Sequence, residues 1–152
     1  MSTLKRILLA EDDPQDVELT LDALSEYNLA NEIVVARDGV EALDYVYRRG
    51  LFADRPAGNP AVILLDLKMP RLDGLQVLRQ LKADESMRLI PIVILTSSRE
   101  DHDLAKCYKL GVNAYVVKPV HFTEFVEAVR RIGVFWALIN EPPQENMTTM
   151  FH

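Results

Sequence analysis

Five short apolar runs recur along the chain and constrain its fold more than any other feature: RILLA (6–10), EIVVA (32–36), AVILL (61–65), IPIVIL (90–95) and AYVV (114–117). They are rich in Val, Ile and Leu, and most do not alternate with polar residues. A strand covered on both faces reads this way. Their starts are spaced by roughly 25–30 residues, the length of a βαβ repeat. The stretches between them are amphipathic and carry helix punctuation. Asp13-Pro14 pairs an N-cap with a proline at the first helical position. Asp38-x-x-Glu41 and Asp73-x-x-Gln76 read as capping boxes, and Gly50 and Gly111 stand where helix C-caps belong. Strict alternation of this kind predicts a doubly wound α/β fold, a five-stranded parallel sheet with five helices on its two faces.

The chain of 152 residues fits one domain and can bury a real core. No linker, low-complexity stretch or repeat marks a second one. The domain is expected over residues 1–140, its last helix running from about Phe122 to Asn140. Residues 141–152 then form a polar, Pro-containing tail, either a dimer arm or disordered. No apolar run approaches the length of a membrane span, and Ile7 to Ala10 is too short for a signal-peptide core. The single Cys107 excludes an intramolecular disulfide framework and fits a cytoplasmic location. A net charge of −6 argues against a nucleic-acid partner. Arg48, Arg49 and Arg55 read as a solvated helix end rather than a phosphate grip.

Ligands of doubly wound folds bind at the carboxyl ends of the strands. The first run ends in Glu11-Asp12-Asp13, the third in Asp66, the fourth in Thr96-Ser97-Ser98 and the fifth in Lys118-Pro119, whereas the second offers nothing obvious. With the second strand at the edge, the other four become contiguous and their acids, hydroxyls and lysine share one crevice. Clustered carboxylates repel one another and need a cation, and hard oxygen ligands suit Mg²⁺. A carboxylate beside Mg²⁺ can be a nucleophile and form an aspartyl phosphate, with lysine and hydroxyl neutralising the phosphoryl oxygens. His102, His121 and His152 are too scattered for a zinc site, and no Gly-rich phosphate loop is present.

Each residue also has a plainer reading. Asp13 is more readily an N-cap than a ligand, and Glu11 and Asp12 alone could be partners of the helix dipole. Thr96 could belong to an ordinary loop, Tyr115 could simply pack, and Lys118 could face solvent. Cys107 reads as an ordinary helix residue.

The motifs ILLAEDD, VILLDLKMPRLDG, IVILTSS and AYVVKP, in that order, resemble those of CheY-like response-regulator receiver domains over about residues 4 to 135. The resemblance implies the flavodoxin-like strand order 2-1-3-4-5 and a set of roles. Asp66 is the phosphoacceptor, Asp12 a direct Mg²⁺ ligand, Glu11 a ligand mainly through water, and the Lys68 carbonyl a backbone ligand. Thr96 is the switch hydroxyl, Lys118 the phosphate-pairing lysine and Tyr115 the switch aromatic, with Lys118–Pro119 a cis peptide. Two residues depart from the pattern: Glu11 stands where the family often has Asp, and Lys68 places a cation two residues after the acceptor.

The function implied is a stand-alone response regulator that takes a phosphoryl group from a sensor histidine kinase and catalyses no other turnover. A phosphatase of the haloacid-dehalogenase type is a rival, but its nucleophile generally follows the first strand, with a second Asp two positions on. A DNA-binding transcription factor would need an output domain that residues after 140 do not encode. An unphosphorylated receiver-like scaffold would not need the intact acidic set.

The long segment RRGLFADRPAGNP (48–60) and the ending VEAVRRIGVFWALINEPP resemble the small response regulators of cyanobacterial phytochromes and bacteriophytochromes. That makes a phytochrome-type, red-light-sensing kinase the expected donor. The ending also carries more apolar surface than a helix stripe needs. Beyond Phe122, Phe125, Val126, Val129, Ile132, Gly133 and Trp136 it adds Val134, Phe135, Leu138 and Ile139. A homodimer is expected on the fourth helix, fifth strand, fifth helix and this extension, with Phe135, Trp136, Leu138 and Ile139 in the interface. The alternative is an extension folded back on its own domain.

Overall fold

A computed structural model describes residues 5–25, 31–97, 102–112 and 114–131. Its order is β1 (Lys5–Ala10), α1 (Pro14–Ser25), β2 (Asn31–Ala36), α2 (Gly39–Tyr47), a 3-10 turn (Gly50–Phe52), β3 (Val62–Asp66), α3 (Gly74–Ala83), β4 (Ile92–Thr96), α4 (His102–Lys109), β5 (Tyr115–Val117) and α5 (Phe122–Arg131). The strands form one sheet in the order β2-β1-β3-β4-β5, every pairing parallel. The fold class is the one expected. The last helix is described only to Arg131, so Phe135, Trp136, Leu138, Ile139 and the tail 141–152 lie outside the described residues.

Both sheet faces are covered, which explains the unbroken apolar runs: all five positions of β3, and all five of β4, are buried. Alternate side chains feed two cores. Leu8, Ala10, Ile63, Leu65, Ile92 and Ile94 join Leu43, Val46, Leu78, Leu81, Leu104 and Cys107 from the α2–α3–α4 side. Ile7, Leu9, Val62, Leu64, Val93, Leu95 and Val116 join Leu24, Phe125 and Val129 from the α1–α5 side. Each fully buried Leu, Ile, Val or Phe stabilises the fold by about 1.5–3 kcal/mol, so the two layers hold the strand ends in fixed register.

The helix signals hold with two corrections. Asp73 and Gln76 form a complete capping box. Asp38 accepts from the Glu41 N–H, but the Glu41 carboxylate accepts from Arg37 rather than from the cap residue, so that box is only half closed. The left-handed cap of α2 is Arg48 (φ 56°), not Gly50, which opens the 3-10 turn. Gly111 (φ 96°) does close α4: its N–H reaches the Tyr108 carbonyl and that of Val112 reaches Cys107.

The segment after α2 is held by Arg55. Its guanidinium donates to the carbonyls of Tyr45 (2.6 Å), Val46, Pro56 and Gly58 and lies 4.1 Å from the Tyr45 ring centroid. The arginine cluster does sit at a helix end, as expected. Arg48 and Arg49 are exposed, but Arg55 is half-buried and ties the long connection to α2.

Candidate functional site

Four strand ends and the first turn of α1 surround a cavity of about 230 Å³, lined by Glu11, Asp12, Asp13, Asp16, Asp66, Leu67, Lys68, Leu95, Thr96, Ser97 and Lys118. Asp66 is the last residue of β3 and only 3% exposed. The chain turns sharply behind it. Arg71 adopts a left-handed conformation (φ 66°), and Gly74 brings the start of α3 back so that its N–H donates to the Leu67 carbonyl at 3.0 Å. A Cβ on Gly39 would lie 1.9 Å from the Leu72 carbonyl oxygen, so α2 also presses on this loop. Arg71 reaches Asp38, the cap of α2, at 3.5 Å. The turn beside Asp66 is thus pinned by the starts of two helices.

Glu11 continues β1 by one hydrogen bond, from its N–H to the Ala36 carbonyl. Its buried carboxylate accepts the Asp13 N–H, and Asp13 in turn accepts the Gln15 N–H at 2.8 Å. Asp13 therefore works as a cap of α1, as its neighbouring proline indicated. Carboxylate oxygens of Glu11, Asp12 and Asp66 lie within 4.8 Å of one another. The Glu11 carboxyl is pushed up to about 7, first by burial and then by the charge of Asp66 and a hydrogen bond with it. A proton here answers the repulsion that a bound cation would otherwise relieve.

Lys118 supplies the positive charge. Its Nζ is 3.2 Å from Glu11 Oε1, 3.1 Å from Asp16 Oδ2 and 3.3 Å from Asp66 Oδ2. Burial by itself would lower its pKa, but Asp66, Asp16 and Glu11 together outweigh burial and raise it. Its N–H donates to the Thr96 carbonyl at 2.8 Å, and the peptide to Pro119 is cis. Lys68, an exposed residue, also lines the cavity, and its N–H donates to Asp66 Oδ1 at 3.3 Å.

Sheet alternation divides the expected residues between two faces. Glu11, Asp66 and Lys118 continue the alternation of residues that feed the α1–α5 core. Thr96 and Tyr115 have the alternation of the α2–α3–α4 core. Thr96 reaches the cavity from the end of β4, whereas Tyr115 lies outside its lining and packs edge-to-face on Tyr108 of α4, 6.2 Å between centroids. Asp16 was not among the expected residues. The signal was an acid in the first turn of α1, the helix that starts at the crevice.

A model of the response regulator receiver domain matches residues 7–130. Among solved structures, the bacteriophytochrome response regulator AtBRR is 58% identical, with a TM-score of 0.85, covering 92% of this chain and all of that one. The phosphorylated cyanobacterial phytochrome response regulator RcpA is 36% identical, with a TM-score of 0.72, covering 89% of this chain and 95% of that one. Response regulator Rcp1 of Synechocystis sp. is 34% identical over 87% of this chain and 88% of its own length. Its Mn²⁺-bound structure matches with a TM-score of 0.70. A receiver-domain match over most of the chain, with relatives of this identity and coverage, shows that this chain belongs to the response regulator receiver family.

Proposed function

We propose that Asp66 accepts a phosphoryl group from a phytochrome-type sensor histidine kinase and that this switches the α4–β5–α5 surface. The observation that carries the reading is the setting of Asp66: a buried carboxylate at a strand end, Lys118 at 3.3 Å and two further acids within 4.8 Å. Relatives described as response regulators of phytochromes support the choice of donor.

The hard-oxygen donor set of Glu11, Asp12 and Asp66 fits Mg²⁺, with the Lys68 carbonyl as a backbone ligand, and the Mn²⁺-bound form of Rcp1 supports a divalent ion in such a site. When bound, Mg²⁺ neutralises charge on the transferring phosphoryl oxygens. An Asp66 carboxylate oxygen attacks phosphorus, the P–N bond of the donor phosphohistidine breaks, and its electron pair stays on the imidazole nitrogen. Lys118 Nζ then exchanges its Asp66 contact for a phosphoryl oxygen, while the Thr96 hydroxyl donates to another. Drawing Thr96 inward frees space on its own sheet face, into which Tyr115 turns away from Tyr108.

The same surface is proposed as a homodimer contact in the cytoplasm, extended by Phe135, Trp136, Leu138 and Ile139. Tyr108, 45% exposed, lies on this face. Sedimentation of the wild type and of a Phe135→Ala/Trp136→Ala variant tests it; a monomer at tens of micromolar overturns it.

Labelling with acetyl phosphate tests the central claim. Wild type takes one acid-labile phosphate that maps to Asp66, lost in Asp66→Asn, in Asp12→Asn and in EDTA. An acid-stable phosphate on Thr96 or Ser97 overturns it.

A further inference from the structure

Lys118 is held by one acid that the phosphoryl-transfer reading does not use. An ammonium has three protons, and Lys118 Nζ has three carboxylate partners. Glu11 and Asp66 belong to the cation-binding cluster; Asp16, the nearest of the three at 3.1 Å, does not. Asp16 comes from the first turn of α1, lines the same crevice, and its side chain is 30% exposed. An acid there also suits the helix dipole. That role, however, asks nothing of a lysine 102 residues further along the chain.

We propose that Asp16 is the positioning residue for Lys118, holding its ammonium at the mouth of the crevice when a cation engages Glu11 and Asp66. The tie has two consequences. Before phosphorylation it shares the ammonium with Glu11 and Asp66, at 3.1 Å against 3.2 and 3.3 Å, and so loosens the hold of Lys118 on the carboxylates that a cation must take. Afterwards it competes with the phosphoryl group for the same ammonium, so that Asp16 limits how firmly the phosphorylated state is held. The second consequence rests on the phosphoacceptor reading above; the first does not.

A double-mutant cycle separates this tie from the general field of one acid. Mg²⁺ binding to the unphosphorylated protein and beryllofluoride binding at saturating Mg²⁺ are measured for Asp16→Asn, Lys118→Met and the pair. Asp16→Asn weakens Mg²⁺ and tightens beryllofluoride, each by about threefold to tenfold, and both effects shrink below about twofold in Lys118→Met. Asp16→Glu restores wild-type values, and Glu18→Gln, an exposed acid on the same helix, changes neither. The side-chain ammonium resonance of Lys118 needs no substitution at 118: it moves in Asp16→Asn and returns in Asp16→Glu. Equal effects of Asp16→Asn in both backgrounds, or an unmoved resonance, overturn the proposal. If wild type binds no beryllofluoride, the phosphoacceptor reading fails, while the Mg²⁺ cycle and the resonance still decide the role of Asp16.

Discussion

Gly74 lies against the main chain of Asp66: a Cβ at position 74 would sit 2.2 Å from the Asp66 carbonyl oxygen and 2.8 Å from the Leu67 Cα. Both neighbours are backbone, so no flexible side chain can yield. Gly74→Ala is therefore expected to push the end of β3 away from α3, costing roughly 2–4 kcal/mol of stability and weakening Mg²⁺ binding severalfold. Gly58→Ala is the control, because its Cβ meets nothing within 4 Å and only its φ of 116° is strained. Urea unfolding together with Mg²⁺ titration of both variants checks this. A Gly74→Ala protein as stable as wild type would mean that the helix start is not packed on the end of β3.

Lys118→Met leaves Glu11, Asp16 and Asp66 facing one another without their shared cation. Removing one partner of a largely buried charge cluster costs roughly 2–4 kcal/mol, reduced here by the residual exposure of the site. The loss is expected in EDTA and largely recovered at saturating Mg²⁺, where a divalent ion supplies the missing charge. Thermal unfolding with and without Mg²⁺ reads the difference. Equal destabilisation in both conditions would count against a metal at these acids.

The proton on Glu11 gives the metal-free protein a characteristic pH dependence. Its carboxyl is pushed up to about 7 in the fold, by burial first and by Asp66 next, against 4.5 when unperturbed. The native state thus keeps a proton that the unfolded chain releases, and stability falls as pH rises from about 4.5 to about 7, then levels. Mg²⁺ must displace that proton, so its affinity rises with pH up to about 7, approaching tenfold per unit below it. Denaturation and Mg²⁺ titrations from pH 5 to 8, with Glu11→Gln as reference, test both slopes. Identical slopes in wild type and Glu11→Gln would assign the proton elsewhere.

Arg55→Ala removes a side chain that donates to four main-chain carbonyls and stacks on Tyr45. A loss of roughly 2–3 kcal/mol is expected, with hydrogen-exchange protection reduced over residues 45–60 and Mg²⁺ affinity unchanged. Arg55→Lys should recover little of it, since an ammonium has no planar fork to spread over these acceptors. Loss of protection at Asp66 instead would show that the segment supports the crevice directly.

The order of apolar runs and capped stretches sets the sheet and the chemistry available to it. Apolar runs long enough for one strand, separated by capped amphipathic stretches, admit few arrangements other than a parallel sheet covered on both faces. Such a sheet brings the residues after β1, β3, β4 and β5 to one edge, so Glu11, Asp12, Asp66, Thr96 and Lys118 were legible from position alone. The roles of Tyr115 and Lys68 came only through resemblance. Contacts between remote residues follow only from packing. Whether Glu41 would close its box on Asp38 or reach Arg37 depends on the local path of the backbone, and so does the left-handed turn at Arg48 rather than at Gly50. Sheet alternation sets Glu11, Asp66 and Lys118 apart from Thr96 and Tyr115, a division visible only once register is fixed. Asp16 meets Lys118 because the start of α1 and the end of β5 line the same crevice, and no local pattern in a chain records which acid will stand 3.1 Å from a lysine 102 residues away.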